Sequence, residues 1–250
     1  MDRVMWNPWH GCVKVSEGCL NCYMYQQDRE YGVDPKDIHP NKTRFNLLTK
    51  KDRQKLYKVK SGSLVMVSLS SDFFLPEADA WREAAWEQMR ARRSLYYHII
   101  TKRPELAAER LPSDWGGGWD NVMISATCEN TVRAAERIPV LAALPLKHRG
   151  VICAPMLEEI NLGLFADKHM SKIERIGCSG ESGPDARPIR HEWVLSLREF
   201  CRQRRIDFDF FQTGTKYIKD GKQYIISDAA LQREQAEKAG LNLIYSAQAF

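Results

Sequence analysis

At 250 residues, 44% hydrophobic and 28% charged, the chain has the composition of a folded globular protein with room for one barrel-sized domain. It carries no secretory h-region and no apolar run long enough to cross a bilayer, so a cytoplasmic protein with no membrane role is expected. Seven cysteines without a secretion signal suggest reduced thiols used for metal or redox chemistry, and the net charge of +5 permits a polyanionic partner without demanding one.

The first chemistry-bearing stretch is Trp6-Asn7-Pro8-Trp9-His10-Gly11-Cys12, followed by Ser16-Glu17-Gly18-Cys19-Leu20-Asn21-Cys22-Tyr23. Its thiols follow the pattern C-x6-C-x2-C, with the turn formers Gly11, Gly18 and Asn21 among them. Such a loop can bring sulfurs together on a soft metal or an iron–sulfur cluster. Three readings stand side by side. A structural zinc site would recruit His10 or a distant cysteine as its fourth ligand. The thiols could equally be buried apolar side chains. In the third reading, three thiolates hold a [4Fe–4S] cluster whose open iron binds the amino and carboxylate groups of S-adenosylmethionine. Electron transfer would then release a 5'-deoxyadenosyl radical. Trp6, Trp9 and Tyr23 around the loop would shield a cluster, pack in the core or stack on a base.

Tyr23 to Tyr31 reads as a short helix stopped by Gly32 and Pro35. A basic stretch follows, with Lys50, Lys51, Arg53, Lys55, Lys58 and Lys60, either a solvated helix face or a phosphate-tracking arm. From residue 64 onward, β-rich runs recur at Leu64–Ser68, Tyr96–Thr101, Val122–Ser125, Val151–Cys153, Ile173–Gly177 and Phe208–Phe211. Their nearly continuous apolar character is that of buried parallel strands. Helical periodicity appears from about Glu77 to Arg93, with Trp81, Ala85 and Met89 on one face. It returns from about His191 to Arg204, with Trp193, Leu197, Phe200 and Cys201 aligned. The expected fold class is α/β: a partial TIM-type (β/α)6 barrel behind an N-terminal three-cysteine cluster loop, with a short strand at Val4–Trp6 as a further element. A doubly wound open sheet is the alternative. Residues 1–63 would hold the cluster loop and basic segment, 64–212 the β/α core and 213–250 an extension of a single domain.

Either architecture puts chemistry at the carboxyl ends of the strands. Those ends are polar: Ser70, Ser71 and Asp72; Thr101, Lys102 and Arg103; Thr127, Cys128, Glu129 and Asn130; Ser179-Gly180-Glu181-Ser182-Gly183-Pro184; and Gln212. Only Cys153-Ala154-Pro155 ends a run weakly. Asp72 and Glu129 suit an ammonium or ribose, or would cap the next helices. Glu181 suits the same groups, with Gly180 and Gly183 admitting a close ligand, or the segment is a plain turn. Lys102 and Arg103 suit a carboxylate or phosphate, or only decorate the surface. Cys128, Cys153 and Cys178 are buried thiols by default, and one of them would serve as a hydrogen-atom donor.

Trp-Asn-Pro-Trp-x-Gly-Cys, Ser-x-Gly-Cys-x-x-Cys-Tyr, Ser70-Ser71-Asp72-Phe73, Thr101-Lys102-Arg103-Pro104 and Gly-Glu-Ser-Gly-Pro-x-Ala-Arg-Pro from Gly180 to Pro188 occur in that order. Over about residues 4 to 212 the chain resembles the phage Gp37/Gp68 family, also called DUF5131, which in turn resembles radical S-adenosylmethionine enzymes. The resemblance implies Cys12, Cys19 and Cys22 as cluster ligands, in a spacing that departs from the commoner C-x3-C-x2-C. With that cofactor, the strand-end reading assigns Ser70, Asp72, Ser125, Glu129, Gly180, Glu181, Ser182 and Gln212 to cofactor binding, and Cys153, Cys178 and Lys102 to catalysis. Relatives tend to carry Glu-Pro-Leu-Leu where this chain has Ala154-Pro155-Met156-Leu157, and Lys-Gln where it has Phe211-Gln212, which suggests a specialised substrate side. The expected activity is hydrogen abstraction from a modified nucleobase in phage DNA, giving rearrangement or isomerisation. Phage-type relatives and basic residues at 50–60 and 202–205 (Arg202, Arg204, Arg205) motivate that substrate. Photoproduct repair, or a peptide or small-metabolite substrate, is the alternative, and a zinc-stabilised nucleic-acid-binding module is the rival outside enzymes. A reductant such as flavodoxin or ferredoxin would supply the electron, in the host cytoplasm if the gene is phage-borne.

Overall fold

The computed structural model describes residues 1–246 and 250. Seven parallel strands form its main sheet: β1 (Arg3–Trp6), β2 (Leu64–Val67), β3 (Tyr96–Thr101), β4 (Val122–Thr127), β5 (His148–Cys153), β6 (Arg175–Ser179) and β7 (Asp207–Gln212). They are hydrogen-bonded in chain order from β1 to β7. A doubly wound sheet would reverse direction at a switch point; here each crossover moves one place the same way. The sheet therefore curls into an open half-barrel whose edges, β1 and β7, do not pair with each other.

Six regular βα units are not what the chain builds. Helices α1 (Tyr23–Glu30), α2 (Asp79–Ala91), α3 (Thr131–Ala143), α4 (Asp167–Met170), α5 (His191–Arg204) and α6 (Ala229–Lys238) are present. Between β3 and β4, however, only two 3-10 turns form, at Pro104–Leu106 and Ala108–Arg110. Pro104, Pro112 and Gly116 to Gly118 break any helix there. The segment is held instead by Trp115 and Trp119, which pack on Trp86 of α2 with ring centroids 5.4 and 5.7 Å away. The basic stretch is not a helix face either. Residues 50–60 form turns around a Lys51–Tyr57 bridge, and Tyr57 stacks under Arg92 at 3.8 Å.

The side chains alternate between the barrel lumen and the helix layer. Met66, Ile100, Thr127, Ile152 and Phe211 face the lumen. Their neighbours Val67, Ile99, Ala126 and Cys153 join the core beneath the helices. Deeper in the lumen, His98 on β3 lies 2.7 Å from the Ser125 hydroxyl on β4, both buried. Burial, with Arg175 and Arg3 nearby, pushes the His98 imidazole down to about 3. The unfolded chain would bind this proton near pH 6.5 and the folded chain would not. Stability from neutral His98 is thus present above pH 6.5 and lost as pH falls toward 3, by up to about 1.4 kcal/mol per pH unit. Denaturant titrations between pH 4 and 7 should show this slope in the native protein and its loss in His98→Gln.

Candidate functional site

The carboxyl ends of the strands, the cysteine loop and α1 enclose two adjoining cavities. The larger, about 350 Å³, is lined by Cys12, Cys19 and Cys22 together with lumen residues such as Met66, Ile100 and Phe211. The smaller, about 160 Å³, lies beside Cys22 against Gly180, Glu181, Ser182 and Gln212. Tyr23, Lys102 and Ala154 border both. The three loop cysteines are partly exposed, whereas Cys128, Cys153, Cys178 and Cys201 are buried.

Three buried carboxylates, one after each of three strands, hold the loop over the barrel. Asp72, beyond β2, accepts hydrogen bonds from Phe74 N at 3.0 Å, Thr101 Oγ1 at 2.8 Å, Lys102 N at 2.9 Å and Arg103 Nη1 at 3.0 Å. Arg103 extends this tie to the loop: Nη1 is 3.9 Å from Cys12 Sγ and Nη2 donates to Val13 O. Glu129, two residues past β4 and fully buried, accepts from Ser16 Oγ, from Gly18 N at 3.3 Å and from Arg137 Nη1 at 2.7 Å. Gly18 is required there, because a Cβ would stand 2.9 Å from the Glu129 carboxylate. Glu181, two residues past β6, accepts from Asn21 Nδ2 at 3.0 Å and from the backbone and side chain of Arg187 at 2.6 to 3.0 Å. Arg187 Nη2 also donates to Glu17 O at 2.9 Å. Burial pushes the Glu181 carboxyl up, but the Arg187 and Asn21 hydrogen bonds outweigh it and hold it below its ordinary value.

Asp72 and Glu181 line the two cavities, while their carboxylates and that of Glu129 already accept hydrogen bonds within the chain. A carboxylate taken out of water must be paired, and here the partners come from the protein itself. Ser125 is likewise committed, its hydroxyl engaged with His98 below the cavity. Cys153 and Cys178 are turned away from the site altogether. Cys153 follows lumen-facing Ile152, and Cys178 follows Gly177, whose added Cβ would strike the Phe211 ring at 2.4 Å inside the lumen. By strand alternation both thiols point into the helix layer, which rules out direct hydrogen donation into the cavity. Ser70 lines the larger cavity. Gly180 N donates to Gln212 O, and Gln212, Ser182 and Gln232 form a side-chain chain along the smaller one.

One residue of the cavity wall carried no signal in the sequence. Ser68, just after β2, adopts a left-handed φ of +58°, and its buried hydroxyl, at the wall of the larger cavity, has no hydrogen-bond partner among the described residues. Lys102 forms no ion pair among the described residues, although Arg103 beside it is paired with Asp72. Burial raises the Cys12 thiol to about 12 against the opposing pull of Arg103.

The basic residues thought to track phosphate lie elsewhere. Lys60 precedes β2, and Val59 O is bound by Arg92 of the turn that leads into β3. Arg202, Arg204 and Arg205 end α5 immediately before β7. Both groups therefore sit at the amino ends of the strands, opposite the cysteine loop. No helix of the described residues is long and apolar enough to cross a membrane.

His10 does not join the cysteines: its Nε2 is 2.9 Å from both Asp28 oxygens on α1. Among the described residues no three His, Cys, Asp or Glu side chains converge closely enough to hold a single ion. The three thiols instead share the wall of one cavity, a soft, all-sulfur donor set of the kind that suits an iron–sulfur cluster with one protein-free corner. No curated protein and no solved structure matches the chain. The family described as "Protein of unknown function (DUF5131)" matches residues 2–244, nearly the whole length, and the chain belongs to that family.

Proposed function

We propose that the protein is a radical S-adenosylmethionine enzyme with Cys12, Cys19 and Cys22 as the ligands of a [4Fe–4S] cluster. The observation that carries this reading is the joint one: three partly exposed thiols share one cavity at the carboxyl ends of a parallel half-barrel. A cluster there would supply an electron to bound S-adenosylmethionine and so a 5'-deoxyadenosyl radical able to abstract hydrogen. The chain's own contribution is to hold the loop through Asp72, Glu129 and Glu181, and to line the reaction space with Met66, Ile100, Ile152 and Phe211. Apolar walls keep water from a reactive radical. Electrons would come from a small redox protein such as flavodoxin or ferredoxin. Anaerobic reconstitution with iron and sulfide, then reduction with S-adenosylmethionine, tests the reading: brown protein releasing 5'-deoxyadenosine supports it, and colourless protein with stoichiometric zinc overturns it.

For the substrate, the geometry favours a small anionic molecule, such as a modified nucleobase carried on a nucleotide, over a base within duplex DNA. A cavity of about 350 Å³ suits a small molecule, and Arg3 and Lys102 both line it without an ion pair among the described residues. The basic groups that motivated a DNA substrate lie at the opposite end of the sheet, which equally favours a small metabolite of the same charge. Lys102→Gln should weaken binding of a nucleoside monophosphate about tenfold or more, the effect of one charged hydrogen bond. Converting Lys50, Lys51, Lys55, Lys58 and Lys60 to Gln should leave it within about twofold. Calorimetric titration of both variants checks this, and the reverse pattern would return the argument to a polyanion on the opposite end.

A further inference from the structure

We infer that Arg103 is a positioning residue that sets the reduction potential of the metal centre through Cys12; the inference rests on the cluster reading above. Among the three loop thiols, Cys12 is the one with a guanidinium at its sulfur, 3.9 Å from Arg103 Nη1. The Cys19 sulfur instead lies 4.0 Å from the neutral Ser16 hydroxyl. Arg103 is itself fixed. It is 5% exposed, Asp72 holds Nη1 at 3.0 Å, Val13 O accepts from Nη2, and the backbone N donates to Thr101 Oγ1 at 2.9 Å.

A charge held this way acts on the centre in two ways. It donates a weak hydrogen bond to a ligand sulfur, and its positive field favours the more negative, reduced state; both raise a cluster's potential. Asp72 opposes it. Its carboxylate is buried against the same guanidinium and returns a negative charge near the sulfur. Asp72 and Arg103 thus form a dipole whose positive end touches the ligand, and the sheet holds it through Thr101 and the Lys102 backbone N–H. The pair also fastens the loop to the barrel, and that role alone would not order potentials by charge.

The sign of the shift separates the two roles. Arg103→Gln removes the positive charge and should lower the midpoint potential. Arg103→Lys keeps the charge and should retain most of it. Asp72→Asn removes the opposing charge and should raise it. The measurement is an anaerobic redox titration of reconstituted protein followed by electron paramagnetic resonance of the reduced cluster, with circular dichroism to confirm folding. Opposite shifts for Arg103→Gln and Asp72→Asn, with the Lys variant near wild type, support the inference. Equal potentials, or shifts of the same sign in both, overturn it and leave a purely mechanical tie. If Arg103→Gln does not fold, the Lys and Asn variants decide by the same order. Wild-type protein that takes up no iron overturns the cluster reading and this inference with it, a result distinct from an unchanged potential in brown protein.

Discussion

If the loop thiols hold the proposed cluster, replacing Cys12, Cys19 and Cys22 together by Ala should abolish iron uptake and 5'-deoxyadenosine release, and leave the stability of the metal-free protein nearly unchanged. The loop thiols are partly exposed, so their removal opens little cavity in the core. The other cysteines should behave in the opposite way. Cys128, Cys153, Cys178 and Cys201 are all fully buried, and burial raises each thiol above its ordinary value. None of the four lines either cavity beside the cysteine loop. Changing one of them to Ala should cost about 1 kcal/mol in denaturant unfolding and leave the iron content as it was. Iron-to-protein ratio and unfolding midpoint, measured on both sets, therefore sort the seven cysteines into two classes. Iron retained by the triple variant, or lost with a core thiol, would show that the cavity is not where the metal binds.

The sorting also shows which kinds of information the sequence carries. Tyr96–Thr101 and His191–Arg204 were legible to the residue, because an apolar run and a helical period are local patterns. That Cys12, Cys19 and Cys22 border one cavity was legible from their closeness in sequence. Strand parity was not. A parallel strand covered on both faces is apolar throughout, so nothing local says that Ile152 faces the lumen and Cys153 the helices. Pairing was less legible still. Glu129 reads as a free acid at a strand end, yet its partner Ser16 lies 113 residues away. Asn21 and Glu181 are 160 apart. The polar ring at the strand ends was visible; that its acids are bonded to the cysteine loop and to its arginine anchors depends on tertiary contact. The basic stretch misled for a related reason, since composition reports a charge and not the end of the barrel on which it sits.

Glu129 carries the second large effect. Glu129→Ala should cost about 3–5 kcal/mol, because it leaves Arg137 buried with Thr127 O as its remaining partner and strips Ser16 and Gly18 of their acceptor. An exposed pair such as Lys147–Asp120 should contribute little by comparison. The double variant Glu129→Leu/Arg137→Met separates fold from loop. Replacing both buried charges with apolar groups of similar size should recover most of the stability. It cannot give back the hydrogen bonds to Ser16 and Gly18, so the segment between Cys12 and Cys19 is left with the ties of Val13 O to Arg103 and of Glu17 to Arg133 and Arg187. Denaturant unfolding should then report a protein close to wild type, while reconstituted iron is lost to a chelator faster than from wild type. If the double variant keeps its iron as tightly as the native chain, the Asp72 and Glu181 ties suffice to hold the loop, and Glu129 serves the barrel alone.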